Sequence, residues 1–345
     1  MINVLIVDDS AVTANYLRFI LSQDSEMNVV AIATDGKQGV EFAQQYRPDV
    51  ITMDLHMPRM DGFEATKEIM ATVPTPVVIV SASYDVEQVQ KTFKAIEVGA
   101  VAVMEKPRGL TSPDHKQMAS ELVQLIKQAA RTKVHRHSRD GVHAAATPKK
   151  HAFTHSTVQY VAIGSSTGGP LVLQKILSAL PADFPAPILV VQHIAKGFTQ
   201  GMADWLSNSC ALHIKLAENG EMPRRGQVYV APDAKQMALT RSGKISLTDD
   251  PPEHSVRPSV SYLFRSLVEN GFSARTLGIL LTGMGKDGSA ELKQLKDAGA
   301  ITIAQDEKSS IVFGMPGEAV KLGGATYVCN PEEIIIKLRE LLPHK

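Results

Sequence analysis

The chain has 345 residues, 44% of them hydrophobic and 21% charged, and its 36 basic and 36 acidic side chains give a formal net charge of zero. At about 100–200 residues per domain this length holds two domains or three, and no apolar run reaches the ~18 residues of a membrane span. Two cysteines, Cys210 and Cys329, make neither a disulfide framework nor a metal site and fit a reducing cytoplasm, while the neutral balance argues against a nucleic-acid binder.

In chain order, MINVLIVDDS opens with a short apolar run ended by two aspartates, which reads as a strand and not as a signal peptide. The runs VLIV (4–7), VVAIA (29–33), VITM (50–53), VVIVSA (77–82) and AVAVM (100–104) then alternate with helical patterns such as Val12–Leu21 and Gly62–Met70. Continuous β-branched runs between helices predict parallel strands in a doubly wound α/β sheet, whose ligands bind beyond the carboxyl ends of the strands. Those ends carry Asp8 and Asp9, Asp54, Ser81, and, just past the fifth run, Lys106. Three clustered carboxylates repel one another unless a cation joins them, and hard oxygen ligands leaving room for water and a phosphoryl oxygen suit Mg²⁺. Asp9–Ser10 alone reads equally well as a helix cap; four matching strand ends do not.

The motifs VDDS (7–10), DLHMPRMDG (54–62), Ser81-Ala82 and Lys106-Pro107 make residues 1–125 resemble the flavodoxin-like receiver domain of two-component response regulators. The resemblance implies that a histidine kinase phosphorylates Asp54 and that Asp8, Asp9, Asp54 and the main-chain carbonyl of His56 hold Mg²⁺. It also implies that Ser81 and Lys106 bind the phosphoryl group. Two residues depart from the pattern: His56 stands where receivers commonly have an acidic or polar residue, and Val103 stands where many have an aromatic switch residue.

Between 131 and 155 the apolar periodicity stops. This segment holds six basic residues, one acid and five of the eleven histidines, and its low hydrophobicity describes a flexible basic linker. The irregular histidine spacing speaks against a metal site. The linker separates domain 1–130, with 11 basic and 17 acidic residues, from domain 156–345, with 19 and 18. The net charges are therefore −6, +5 and +1, and the zero is a cancellation.

The second domain repeats the α/β period in VQYVAIG (158–164), APILVVQH (186–193), VYVAP (228–232), LGILLTG (277–283), AITIA (300–304) and ATYV (325–328), with helical patterns at Pro170–Leu180, Val260–Val268 and Ala290–Ala298. The expectation is a second, Rossmann-like domain with a mostly parallel sheet. Its first run leads into Gly164-Ser165-Ser166-Thr167-Gly168, a G-x-S-x-G pattern between strand and helix that lifts Ser166 on a sharp turn. A serine nucleophile needs a base, and the base needs an orienting carboxylate. His193 follows ILVVQ and Asp287 follows LLTGMGK, so all three can converge at one sheet edge. The order Ser, His, Asp differs from that of the α/β-hydrolases. Thr282–Gly288 lacks the spacing of a phosphate loop, and its glycines suit main-chain N–H groups facing an oxyanion. A dinucleotide reading of GSSTGG would need an acid where His193 ends the next run.

IGSSTGGP (163–170), VVQHIAKGFT (190–199), VYVAP (228–232), RPSV (257–260), LLTGMGKDG (280–288) and IAQDEKSSIVFGMP (303–316) make the whole chain resemble the CheB family of chemotaxis response-regulator methylesterases. The resemblance implies hydrolysis of glutamate methyl esters on chemoreceptor helices, and deamidation of receptor glutamines. Ser166 is then the nucleophile, His193 the base and acid, Asp287 its orienter, and the N–H groups of Met284 and Thr167 the oxyanion donors, with no cofactor for the hydrolysis. Ser165 stands where the family often has alanine. The partners implied are the kinase and the methylated receptor, with no nucleic acid and no membrane insertion, and a monomer is expected. Regulation is read as residues 1–125 packing over the Ser166 edge until Asp54 is phosphorylated. The competing readings are a transcriptional regulator, against which the +1 second domain argues, and a catalytically dead effector, against which the complete triad argues.

Overall fold

A computed structural model of the chain describes residues 1–81, 86–107, 109, 115–132 and 158–343. The expected linker at 131–155 lies, beyond its first two residues, outside the described residues, as does Ala82. The chain forms two compact units that divide within residues 133–157. Among the described residues no helix is long and apolar enough to cross a membrane.

In the first unit, β1 (Ile2–Val7), β2 (Met27–Ala33), β3 (Val50–Met53), β4 (Val77–Ser81) and β5 (Ala102–Glu105) alternate with α1 (Ala11–Ser22), α2 (Gly36–Tyr46), α3 (Gly62–Thr72), α4 (Val86–Glu97) and α5 (His115–Ala129). The strands are all parallel in the order β2-β1-β3-β4-β5. Val4–Val7, Val50–Met53 and Val77–Ser81 are buried along their whole length, as strands covered on both faces must be. Leu5, Val7, Ile51, Met53, Val77 and Ile79 share one core; full burial of each such side chain is worth roughly 1.5–3 kcal/mol. Ser10, Asp35 and Asp61 start α1, α2 and α3 by accepting an N–H from the first turn. Because β1 lies between β2 and β3, the strand order reverses there, and the crevice opens at the ends that carry Asp8, Asp9 and Asp54.

The second unit contains a seven-stranded, wholly parallel sheet in the order β14-β13-β12-β6-β7-β9-β8. Its strands are β6 (Tyr160–Ser165), β7 (Ile188–Gln192), β8 (His213–Leu216), β9 (Gln227–Val230), β12 (Thr276–Leu280), β13 (Ile301–Gln305) and β14 (Tyr327–Cys329). The connecting helices are α6 (Gly169–Ser178), α7 (Thr199–Ser209), α8 (Val260–Glu269), α9 (Ser289–Asp297), α10 (Met315–Lys321) and α11 (Pro331–Leu341). An antiparallel hairpin, β10 (Gln236–Leu239) with β11 (Ile245–Thr248), stands apart from the sheet. Neither β8 nor this hairpin is expected from the apolar runs. The hairpin is nonetheless integral: Met237, Leu239 and Ile245 belong to the same core as Leu263, Phe264 and Leu267 of α8. Ser266 Oγ accepts the Leu239 N–H at 3.1 Å, and Asn270 Nδ2 donates to the Leu239 carbonyl at 2.8 Å. These bonds tie the hairpin to the last turn of α8, and at the start of the helix Gln236 Oε1 of β10 accepts the Ser259 N–H at 2.9 Å.

Candidate active site

The first strand of the second unit, β6, has β12 on one side and β7 on the other, so its end is the reversal point of this sheet. Register aligns Gly164 with Leu280 and Ser165 with Gln192. The main chain stays tied past the strand ends: Ser166 N–H donates to Thr282 O at 3.0 Å and His193 N–H to Ser165 O at 2.9 Å. Glycines permit this closeness. A Cβ on Gly283 would stand 2.7 Å from Ser166 Cβ, and Gly168, which starts α6, has φ +78°. Ser165 is buried, whereas Ser166 and Thr167 are partly exposed.

His193 Nε2 lies 2.8 Å from Asp287 Oδ2, with the His193 side chain 12% exposed and that of Asp287 3%. The carboxylate sits on the start of α8. Oδ2 also accepts the Val260 N–H at 2.7 Å, and Oδ1 accepts the Ser259 hydroxyl at 2.8 Å and the Ser261 N–H at 3.0 Å. A helix N-terminus with free N–H groups is a ready anion site. Burial alone would raise the Asp287 carboxyl, but the bond and charge of His193, with the Ser261 N–H, hold it well below the usual carboxylate range. Ser261 Oγ donates onward to Glu291 Oε2 at 2.6 Å and accepts the Gly288 N–H at 2.8 Å, which anchors the loop that carries Asp287. The sequence patterns point to no role for Ser259 or Ser261. The available signal was RPSV just before a helical pattern, which puts a serine at the cap.

Among the described residues no hydrogen bond joins Ser166 Oγ to His193, and neither the Met284 nor the Thr167 N–H donates to a partner. Both N–H groups belong to partly exposed residues on loops bound to each other. Thr282 Oγ1 donates to Thr167 O and accepts the Val312 N–H, each at 2.9 Å, and Gln305 Oε1 accepts the Thr282 N–H at 2.8 Å. Gly285 and Gly288 take φ +82° and +78°, a backbone that frees the loop to turn at Met284.

In the first unit, carboxylate oxygens of Asp8, Asp9 and Asp54 lie within 4.8 Å of one another. Lys106 Nζ is 2.9 Å from Asp8 Oδ2 and 2.8 Å from Asp54 Oδ2. Burial, with the neighbouring Asp54 charge, holds the Asp8 carboxyl above its ordinary value despite Lys106. Among the described residues Ser81 Oγ is buried without a hydrogen-bond partner, an orphan that a phosphoryl oxygen would satisfy. A Cβ on Gly62 would fall 2.0 Å from the Asp54 carbonyl, so glycine is required for α3 to start beside the strand end. The His56 side chain is exposed, and Val103 packs against the unit's core.

Comparison with known proteins agrees with this division. The CheB methylesterase family model matches residues 161–338 and the response regulator receiver domain model residues 4–112. A protein-glutamate methylesterase/protein-glutamine glutaminase of Geobacter metallireducens is 47% identical over all of both chains, and one of Nitrosospira multiformis is 46% identical over all of this chain and 98% of its own. The CheB methylesterase catalytic domain of Thermotoga maritima superimposes with a TM-score of 0.51 at 40% identity, covering 53% of this chain and 98% of that one. The chain belongs to the CheB methylesterase family, in the form that carries a response-regulator receiver domain.

Proposed function

We propose that this protein is a phosphorylation-regulated protein-glutamate methylesterase, and a protein-glutamine glutaminase, that works through Ser166, His193 and Asp287. The observation that carries the site assignment is the bond from His193 Nε2 to Asp287 Oδ2 at the strand end next to Ser166. Asp287 fixes Nε2 as the protonated ring nitrogen, which leaves Nδ1 as the base. Ser166 Oγ attacks the ester carbonyl and gives its proton to His193. Charge that builds on the carbonyl oxygen is met by the unpartnered N–H groups of Met284 and Thr167. His193 then protonates the departing methoxide, which leaves as methanol, and a water activated by the same nitrogen hydrolyses the acyl-enzyme. A glutamine side chain follows the same course with ammonia as leaving group. Treatment with a serine-directed fluorophosphonate tests the assignment: the adduct is expected on Ser166, and an adduct on Ser165 instead refutes it.

The receiver is the regulatory input. Asp54 is the phosphorylation site, with a histidine kinase of the chemotaxis system as phosphodonor and methylated chemoreceptor helices as the substrate of the second unit. The side chains of Asp8, Asp9 and Asp54 and the carbonyl of His56 would hold Mg²⁺, which neutralises charge on the phosphoryl oxygens when bound. Lys106 and the orphaned Ser81 hydroxyl would bind those oxygens.

A further inference from the structure

Ser165 and Gln192 take no part in the chemistry above, yet both are almost wholly buried at the strand ends that deliver Ser166 and His193. Ser165 Oγ donates to Gln192 Oε1 at 2.6 Å. Gln192 Nε2 donates to the Ser166 carbonyl at 2.8 Å and to the His193 carbonyl at 2.7 Å. Together with the His193 N–H bond to Ser165 O at 2.9 Å, these contacts close a ring over two dipeptides, Ser165–Ser166 and Gln192–His193, that the register sets side by side.

The ring defines how the amide lies. Two carbonyls can only accept, so the NH₂ group must face them, and the oxygen must face the hydroxyl. Gly169 leaves the space for that oxygen, since a Cβ there would stand 2.2 Å from Gln192 Oε1. The side chain is held at its acceptor and at both donors, and each bond ends on the strand-end residues that carry the reacting groups.

We infer that Gln192, locked in orientation by Ser165, is a positioning residue that sets Ser166 against His193. The inference rests on the reading of those two as nucleophile and base. No direct hydrogen bond aligns Ser166 Oγ with His193 among the described residues, so their alignment depends on how the two main chains are held. A shift of about 1 Å in such a pair costs about 10²-fold in rate.

The test uses the full chain, phosphorylated with a small-molecule phosphodonor, and reads kcat and KM for methanol release from methylated receptor membranes together with the rate of fluorophosphonate labelling. Gln192→Leu is expected to lower kcat and the labelling rate about 10²-fold while KM stays within about twofold. Gln192→Glu, which keeps the acceptor but loses both donors, falls with it. Ser165→Ala lowers kcat about three- to tenfold, the worth of one hydrogen bond. A folded Q192L protein that labels and turns over at the wild-type rate overturns the inference, as does a rise in KM at unchanged kcat. If Q192L does not fold, S165A decides: an unchanged kcat refutes the lock. Ser166→Ala in parallel separates the two readings. Methanol release that survives in S166A refutes the nucleophile assignment, whereas an inactive S166A beside a fully active Q192L refutes only the positioning role.

Discussion

Replacing Asp287 by asparagine probes the link between the α8 N-terminus and the chemistry. The carboxylate accepts four hydrogen bonds: from His193 and Val260 on Oδ2, and from Ser259 and Ser261 on Oδ1. Asparagine turns one oxygen into an NH₂ group, and whichever way it lies, that group meets two donors. A ring or a hydroxyl can turn to accept, but the main-chain N–H of Val260 or Ser261 cannot, so at least one bond to a charged group is lost, worth about 1.5–3 kcal/mol. If the NH₂ group faces His193, the ring must accept at Nε2 and carry its proton on Nδ1, the nitrogen needed as base. Expressed in the transition state, that energy is a fall in kcat of about 10–10²-fold, read as methanol release with KM little changed. A folded D287N enzyme within about threefold of wild-type kcat would show that the carboxylate does not orient His193. The pH dependence of stability carries a second mark. The carboxyl is held lower in the folded than in the unfolded chain, so its stabilisation is present above about pH 4 and fades as pH falls below the ordinary carboxylate range. The difference in Tm between wild type and D287N should narrow as pH drops from 5 toward 3, and a constant gap contradicts this.

Three further outcomes are expected. Gly283→Ala would put a Cβ 2.5 Å from Met315 Sδ and 2.7 Å from Ser166 Cβ; urea unfolding should show a loss of about 1–3 kcal/mol, and unchanged stability would argue against the close approach. Chelating Mg²⁺ should abolish acetyl-phosphate labelling of Asp54 and leave fluorophosphonate labelling of Ser166 unaltered, whereas loss of both would show a metal requirement in the hydrolase. Removing residues 1–150 should raise methanol release above that of the unphosphorylated full chain, and equal rates would refute inhibition by the receiver.

The sheet edges were legible because strand ends in a parallel sheet announce themselves as polar residues closing an apolar run. Asp8, Asp54, His193 and, past its glycines, Asp287 all followed that rule, and the structure brings each to the edge where the runs put it. What escaped had a weaker signal. HIKL (213–216) and the hairpin strands QMAL and ISLT are four residues each and only partly apolar, so they resemble loop. The two hairpin strands are held by the tertiary core around α8, whereas β8 is held by its parallel pairing with β9. The serine cap of α8 could be guessed from RPSV, but not that it would hold a carboxylate 28 residues further on. The Ser165–Gln192 bond was hidden for a related reason. A glutamine beside a histidine at a strand end reads as solvated, and only the register of β6 on β7 reveals that its amide is buried. The loss of apolar periodicity over 131–155, a +5 segment between a −6 and a +1 domain, is what predicts a linker there.

The most direct test of the account measures methanol release from methylated receptor membranes by wild type and Ser166→Ala, each with and without a phosphodonor for Asp54. Release by wild type is expected to rise on phosphorylation, with none from S166A in either state. Methanol release by S166A, or a wild-type rate indifferent to the phosphodonor, would contradict it.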